Sequence, residues 1–235
     1  MVKLHKPHHE GHRTAHIGWM RASVLGANDG LISTSSLLIG MAAANVTPQV
    51  ILFTGIAGLT AGALSMAAGE YVSVSSQADT EAADMAKERH ELEHSPEAEL
   101  LELTHIYVQR GLDKGLAHQV AEQLSAHDAL GAHMRDELGI TEALSARPLQ
   151  AALSSAAAFA VGAMPPILLA WLWRDGGLTM AISAVTLVLL AALGALAGRL
   201  GGASMTKGAV RVLFWGAMAM AATGLIGRLF GVAAA

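Results

Sequence analysis

The chain has 235 residues, of which 53% are hydrophobic and 14% charged, with a mean hydropathy of +0.44. A water-soluble domain of this size carries nearly twice that charged fraction, so the whole chain cannot be one. The charges are also segregated: Asp79 to Glu142 holds fifteen acidic and five basic residues, net −10, and the remainder is net +6, which restores the overall −4. The basic residues of the remainder sit singly at the ends of apolar runs, which excludes a nucleic-acid patch. There is no cysteine, so a metal site has only carboxylate, imidazole and thioether to draw on.

Residues 1–21 form a polar tail with His5, His8, His9, His12 and His16. It is too long and too polar for the n-region of a signal peptide, and the apolar run that follows contains Asp29, so that run reads as a retained membrane span. The spacing of His8, His12 and His16 permits a metal site on one helix face, but a disordered His-rich tail is the preferred reading. Five runs then reach the ~20 residues that cross a bilayer: roughly Ala22 to Asn45, Val50 to Ser76, Leu149 to Trp173, Leu178 to Gly198 and Gly208 to Val232. Pro165-Pro166 should kink or break the third. Glycines four apart (Gly26/Gly30, Gly58/Gly62, Gly194/Gly198, Gly227/Gly231) let helices approach closely in lipid.

Lys3, Lys6, Arg13 and Arg21 precede the first span, and Arg199, Lys207 and Arg211 lie between the fourth and fifth, while the link between spans one and two has no Lys or Arg and that between three and four only Arg174. The positive-inside rule places the N-terminus and the acidic insert in the cytoplasm and the C-terminus outside. Ala78 to Ala146 is helical in pattern. Ser95-Pro96 reads as an N-cap followed by proline at the first helical position, and Gly111 to Gly115 marks a second break. The expected fold is an all-α membrane protein of five transmembrane helices, with a three-helix cytoplasmic metal-binding insert between spans two and three. The divisions are a tail at 1–21, helices one and two at 22–77, the acidic insert at 78–146, and helices three to five at 147–235.

No proline interrupts Val50 to Ser95. At ~100° per residue, Glu70, Ser73, Gln77, Asp84, Glu88 and Glu91 fall within roughly 40° of Met66, giving one oxygen-rich stripe that starts at membrane depth. An ionisable group there is costly and usually functional, so Asp29, Met66 and Glu70 are the candidate ion pathway. Within the insert, Glu88/Glu91, Glu99/Glu102, Glu102/His105, Glu91/His94 and Met134/Glu137 are spaced three apart, on shared helix faces. Facing helices that all present acids repel unless a cation neutralises them, so divalent metal ions are the expected partners. His118 and His127 read as ordinary helix surface.

"DGLISTSSLLIG", "AGALSMAAGEYVSVSSQADTE" and "ERHELEHSPEAELLEL" resemble the vacuolar iron transporter family, and the resemblance covers essentially the whole chain. It implies a homodimer in the lipid bilayer that moves Fe²⁺, and often Mn²⁺, out of the cytoplasm against protons, with the metal as substrate and as ligand of the cytoplasmic domain, and with no prosthetic group. The family's metal-binding glutamates fall on Glu88, Glu91, Glu99, Glu102 and Glu137, and a family methionine falls on Met134. His133 stands where a second methionine is expected; the translocation aspartate and methionine fall on Asp29 and Met66. Plant vacuolar members carry an acid in span two where this chain has Gly58, and Glu70 follows the bacterial and nodulin-like pattern instead. The Ala/Gly/Leu-rich composition and short termini point to a bacterial cytoplasmic membrane; in a eukaryote the membrane would be vacuolar. Two rival readings use the same insert: a membrane-anchored di-iron carboxylate oxidase, since Glu-x-x-His spacing builds such sites, and a metal sensor.

Overall fold

A computed structural model describes residues 17–140, 146–173 and 176–233, with side chains from residue 23 to 231 of these. Seven helices appear among the described residues: α1 (Ile17–Ala43), α2 (Pro48–His94), α3 (Pro96–Gln109), α4 (Lys114–Asp136), α5 (Pro148–Leu172), α6 (Leu178–Leu200) and α7 (Met205–Ala233). The chain divides into two compact units, one of residues 1–71 with 149–235 and one of 72–148. The tail histidines, and Lys3, Lys6, Arg13 and Arg174, lie outside the described residues.

In the first unit, α2, α5, α6 and α7 are long and apolar enough to cross a membrane; α1 is not among them. The sequence expected five such runs. α1 has the length but carries Asn28, Asp29 and the Ser33–Ser36 run, which lower its hydropathy. Three of these hydroxyls face protein: Thr34, Ser35 and Ser36 are buried, and Ser35 shares a 2.7 Å hydrogen bond with Thr186 of α6. α1 therefore turns one polar side towards neighbouring helices, where Ser35 is paired while the Asn28 side-chain oxygen and the Ser36 hydroxyl are buried without a partner.

Glycine lets those neighbours come close. A Cβ on Gly30 would strike the Phe159 carbonyl of α5, one on Gly162 of α5 would strike the Ala27 carbonyl, and one on Gly227 of α7 would strike the Gly40 carbonyl. Close approaches expected at spaced glycines are thus present: those at Gly30, Gly162 and Gly227 involve α1, while Gly194 and Gly198 of α6 bring it against Gly208 and Ser204 at the start of α7. Leu38, Phe159, Ile167 and Ile182 fill the space between. α5 runs through Pro165 and Pro166 as one helix, so of the expected kink or break the break does not occur; Pro166 is fully buried, where packing offsets two missing N–H donors.

The 72–148 unit has its own core of Leu103, Tyr107, Ala117, Ala121 and Ala132. Ser95 is the N-cap of α3 with Pro96 at the first helical position, although the serine hydroxyl makes no capping bond. Asp113 caps α4 by accepting from the Gly115 and Leu116 N–H groups at 3.0 and 3.1 Å. At the far end of α4, Asp136 accepts from the Tyr107 hydroxyl at 2.8 Å and from the Arg110 and Arg135 guanidinium groups, and Arg110 also donates to the Asp136 carbonyl at 2.8 Å. Burial would raise the Asp136 carboxyl, but hydrogen bonds from Arg135, Tyr107 and Arg110 outweigh it and hold it at about 2.

Two outcomes test this packing. Gly162→Leu should cost about 1–3 kcal/mol or more through overpacking, seen as a lower melting temperature in detergent, while Gly69→Ala, where a Cβ meets nothing within 4 Å, should not lower it. Asp136→Asn should cost on the order of 2 kcal/mol near pH 6. Because the folded value is depressed, that stabilisation is fully present above the ordinary aspartate range and fades as pH falls towards about 2. The variant should therefore show a shallower acid-induced loss of stability over that window than the parent.

Candidate metal centre and membrane cavity

Four acidic or imidazole side chains meet inside the 72–148 unit: Glu88 from α2, Glu99 from α3, and His133 and Glu137 from α4 and its C-cap. Glu88, Glu99 and His133 are buried and can each present a ligand atom within 4.8 Å of the others. His133 Nδ1 lies 3.0 Å from Glu88 Oε1, 2.9 Å from Glu137 Oε2 and 4.0 Å from Glu99 Oε2. One ring nitrogen carries at most one proton and satisfies one acceptor well; here it bonds Glu137. Glu88 Oε1 and His133 Nε2 are left buried without a hydrogen-bond partner, a costly state for polar atoms. Burial, then the nearby Glu137, pushes the Glu88 carboxyl up, with His133 partly opposing; burial, then Glu102, pushes Glu99 up. Two buried carboxylates, one buried imidazole and the partly exposed Glu137 carboxylate make a donor set for a divalent cation of intermediate softness.

The remaining insert residues take other places. Glu91 forms an ion pair with Lys87 at 3.4 Å on the exposed side of α2. Glu102 is exposed and lines an open groove of about 840 Å³ with His105, Arg110 and Glu137. Met134 is buried. His118 is partly exposed and pairs with Glu122 at 3.4 Å. Glu137 belongs both to the cluster and to the groove, and 27% of its side-chain surface remains exposed.

Sequence reasoning missed the interruption of α4. Asp128 has extended backbone angles (φ −160°, ψ 88°) inside the helix, and its Oδ1 accepts from the Gly131 N–H at 2.9 Å. This is an internal N-cap that starts a fresh helical segment five residues before His133. An Asp followed by Gly three residues on is the available signal, but without proline it does not stand out in a helical pattern.

In the first unit, Asp29, Ser33 and Thr34 of α1 and Ser65 and Met66 of α2 line a cavity of about 220 Å³, closed in part by Phe159. Gly58 and Gly62 line it too, and their missing side chains leave room on the α2 wall. Glu70, one helical turn beyond Met66, is not among the lining residues. The structure thus brings Asp29 and Met66 together and leaves Glu70 outside their cavity.

Comparison with known proteins shows the family. Residues 20–228 match the family described as the VIT family. The chain is 49% identical over 216 residues to a protein of Acanthamoeba castellanii named vacuolar iron transporter, covering 90% of this chain and 78% of that one. It is 37% identical over 213 residues to vacuolar iron transporter homolog 2 of Oryza sativa subsp. japonica, covering 90% of each, and 37% identical over 216 residues to homolog 3 of Arabidopsis thaliana, covering 91% of this chain and 84% of that one. With its apolar helices, the chain is an integral membrane protein that belongs to the VIT family, whose members are transporters and not enzymes.

Proposed function

We propose that this protein moves Fe²⁺, and Mn²⁺ with it, out of the cytoplasm in exchange for protons. The observation that carries the reading is the cavity that gathers the Asp29 carboxylate and the Met66 thioether from two long helices of a predominantly apolar unit. An acid at membrane depth is expensive unless it serves transport. Carboxylate with thioether suits Fe²⁺ or Mn²⁺ better than Mg²⁺, which holds its waters. The relatives named iron transporters support the same cargo.

In this reading α1 is the fifth span, its 27 residues reaching about 40 Å, enough for the hydrocarbon core. The N-terminus and the 72–148 unit face the cytoplasm and the C-terminus the far side, in a bacterial cytoplasmic membrane or, in a eukaryote, the vacuolar one. Two copies pair, which would cover apolar side chains such as Phe53, Ile56 and Leu64 that α2 leaves exposed. Glu88, Glu99, His133 and Glu137 collect the dilute cation, with Glu91, Glu102 and Met134 as outlying donors. Asp29 and Met66 replace part of its water shell during passage, and Glu70 takes up the exchanged proton.

The test is metal uptake into proteoliposomes with an acidic lumen and a pH-sensitive dye. Wild type should take up Fe²⁺ and Mn²⁺ with proton counterflow. Asp29→Ala should fall to the level of empty liposomes and Glu70→Gln should lose the coupled proton signal; wild-type flux in Asp29→Ala would sink the route. A second test concerns the insert. Because the folded carboxyls of Glu88 and Glu99 are raised, holding them protonated stabilises the metal-free protein below the ordinary glutamate range, and that stabilisation is lost as pH rises through the raised values. Protons therefore compete with metal, and Mn²⁺ should raise the melting temperature more at pH 7.5 than at pH 5. Glu88→Gln should shrink that difference.

A further inference from the structure

We infer that Asp128 is a positioning residue for the metal centre: by breaking α4, it turns the segment bearing His133 and Glu137 onto Glu88 and Glu99. The inference rests on the metal-binding reading of that cluster proposed above.

The first part of α4 lays Ala117 and Ala121 against Leu103 and Tyr107 of α3. Were the helix unbroken, His133 would lie roughly 120–160° around from those two alanines, at ~100° per residue. Such a helix would keep Ala132 on the face that meets α3, where it does pack, but would carry the imidazole off that face. Instead His133 is fully buried and its Nδ1 reaches to 4.0 Å from Glu99 Oε2 on α3. The change of direction occurs at one residue, Asp128, whose backbone leaves the helical region while the residues on either side stay in it.

The turn is built to hold. Asp128 Oδ1 accepts from the Gly131 N–H, and a Cβ on Gly131 would collide with the Asp128 carboxylate, so the glycine makes room for the cap. At the other end of the segment, Tyr107 and Arg110 bind Asp136. Between these two anchors, His133 and Glu137 are joined by a 2.9 Å hydrogen bond. Asp128 itself is exposed and is not one of the grouped ligands. It acts on the ion only through the direction it gives the chain. Partners that orient metal ligands without touching the metal commonly change affinity by about 10–100-fold when removed.

Mn²⁺ binding to the full-length protein in detergent, followed by the electron paramagnetic resonance of the free ion, tests this. Asp128→Ala, which loses the cap, should bind Mn²⁺ about tenfold more weakly while circular dichroism shows full helicity. Asp128→Asn keeps an oxygen for the Gly131 N–H and should stay within about twofold of wild type. Gly131→Ala leaves Asp128 in place but displaces its carboxylate, and should weaken binding as Asp128→Ala does. Equal affinity of Asp128→Ala and wild type would overturn the inference, as would an equal loss in Asp128→Asn, which would make the effect one of charge. Wild-type affinity in Glu88→Gln would refute instead the reading of the cluster as a metal centre.

Discussion

A single imidazole nitrogen stands among the carboxylates of Glu88, Glu99 and Glu137, and the organisation of the 72–148 unit follows from that crowding. Acids brought this close and taken out of water repel and lose solvation together. One hydrogen bond cannot compensate three groups, so the unit is held by other means: an apolar core of Leu103, Tyr107 and alanines, and the anchoring of Asp136 by Tyr107 and two arginines. The two carboxylate environments of the unit are opposites. Asp136 is surrounded by donors and stays ionised. Glu88 and Glu99 are surrounded by other acids and hold their protons longer. The first environment stabilises the fold, while the second costs stability and is tolerable where a cation completes it.

The first unit meets a parallel difficulty with a different device. α1 carries an acid, an amide and consecutive hydroxyls in an apolar setting. Contacts at Gly30, Gly162 and Gly227 bring the backbones of α5 and α7 against it, and the Ser35–Thr186 bond ties it to α6. Close backbone approach buries Thr34, Ser35 and Ser36, while Asp29 and Ser33 line the cavity shared with Met66 of α2.

Much of this was legible before any coordinates. Ser95-Pro96 marked a helix start because proline tolerates only a few positions. Glu88 and Glu99 were singled out by acidic spacing, and Asp29 with Met66 by depth. What failed to show had physical reasons. Run length made α1 look like the other spans, although Asn28, Asp29 and the Ser33–Ser36 hydroxyls lower its mean hydropathy. Pro165-Pro166 looked like a break, but tertiary packing carried the helix through. Spacing grouped Glu91 with Glu88 and Glu102 with Glu99, but the first is drawn to Lys87 and the second faces the open groove. The importance of His133 came from a resemblance to a family position and not from its spacing. The Arg110–Asp136 pairing joins residues too far apart in sequence for local periodicity to reveal.

Exposure within the cluster is uneven: Glu88, Glu99 and His133 keep 3%, 7% and 0% of their surface, and the Glu137 side chain keeps 27%. Were a cation to bind there as proposed, three of its four donors would lie behind Glu137, and it would shed waters first at that one exposed carboxylate. Ions differ by orders of magnitude in how fast they exchange water, and Mg²⁺ gives up its shell reluctantly. The burial of three donors behind one exposed acid would then discriminate between abundant Mg²⁺ and scarce Fe²⁺ by arrival rate as well as by equilibrium, a selectivity that an exposed set of the same ligands would not have.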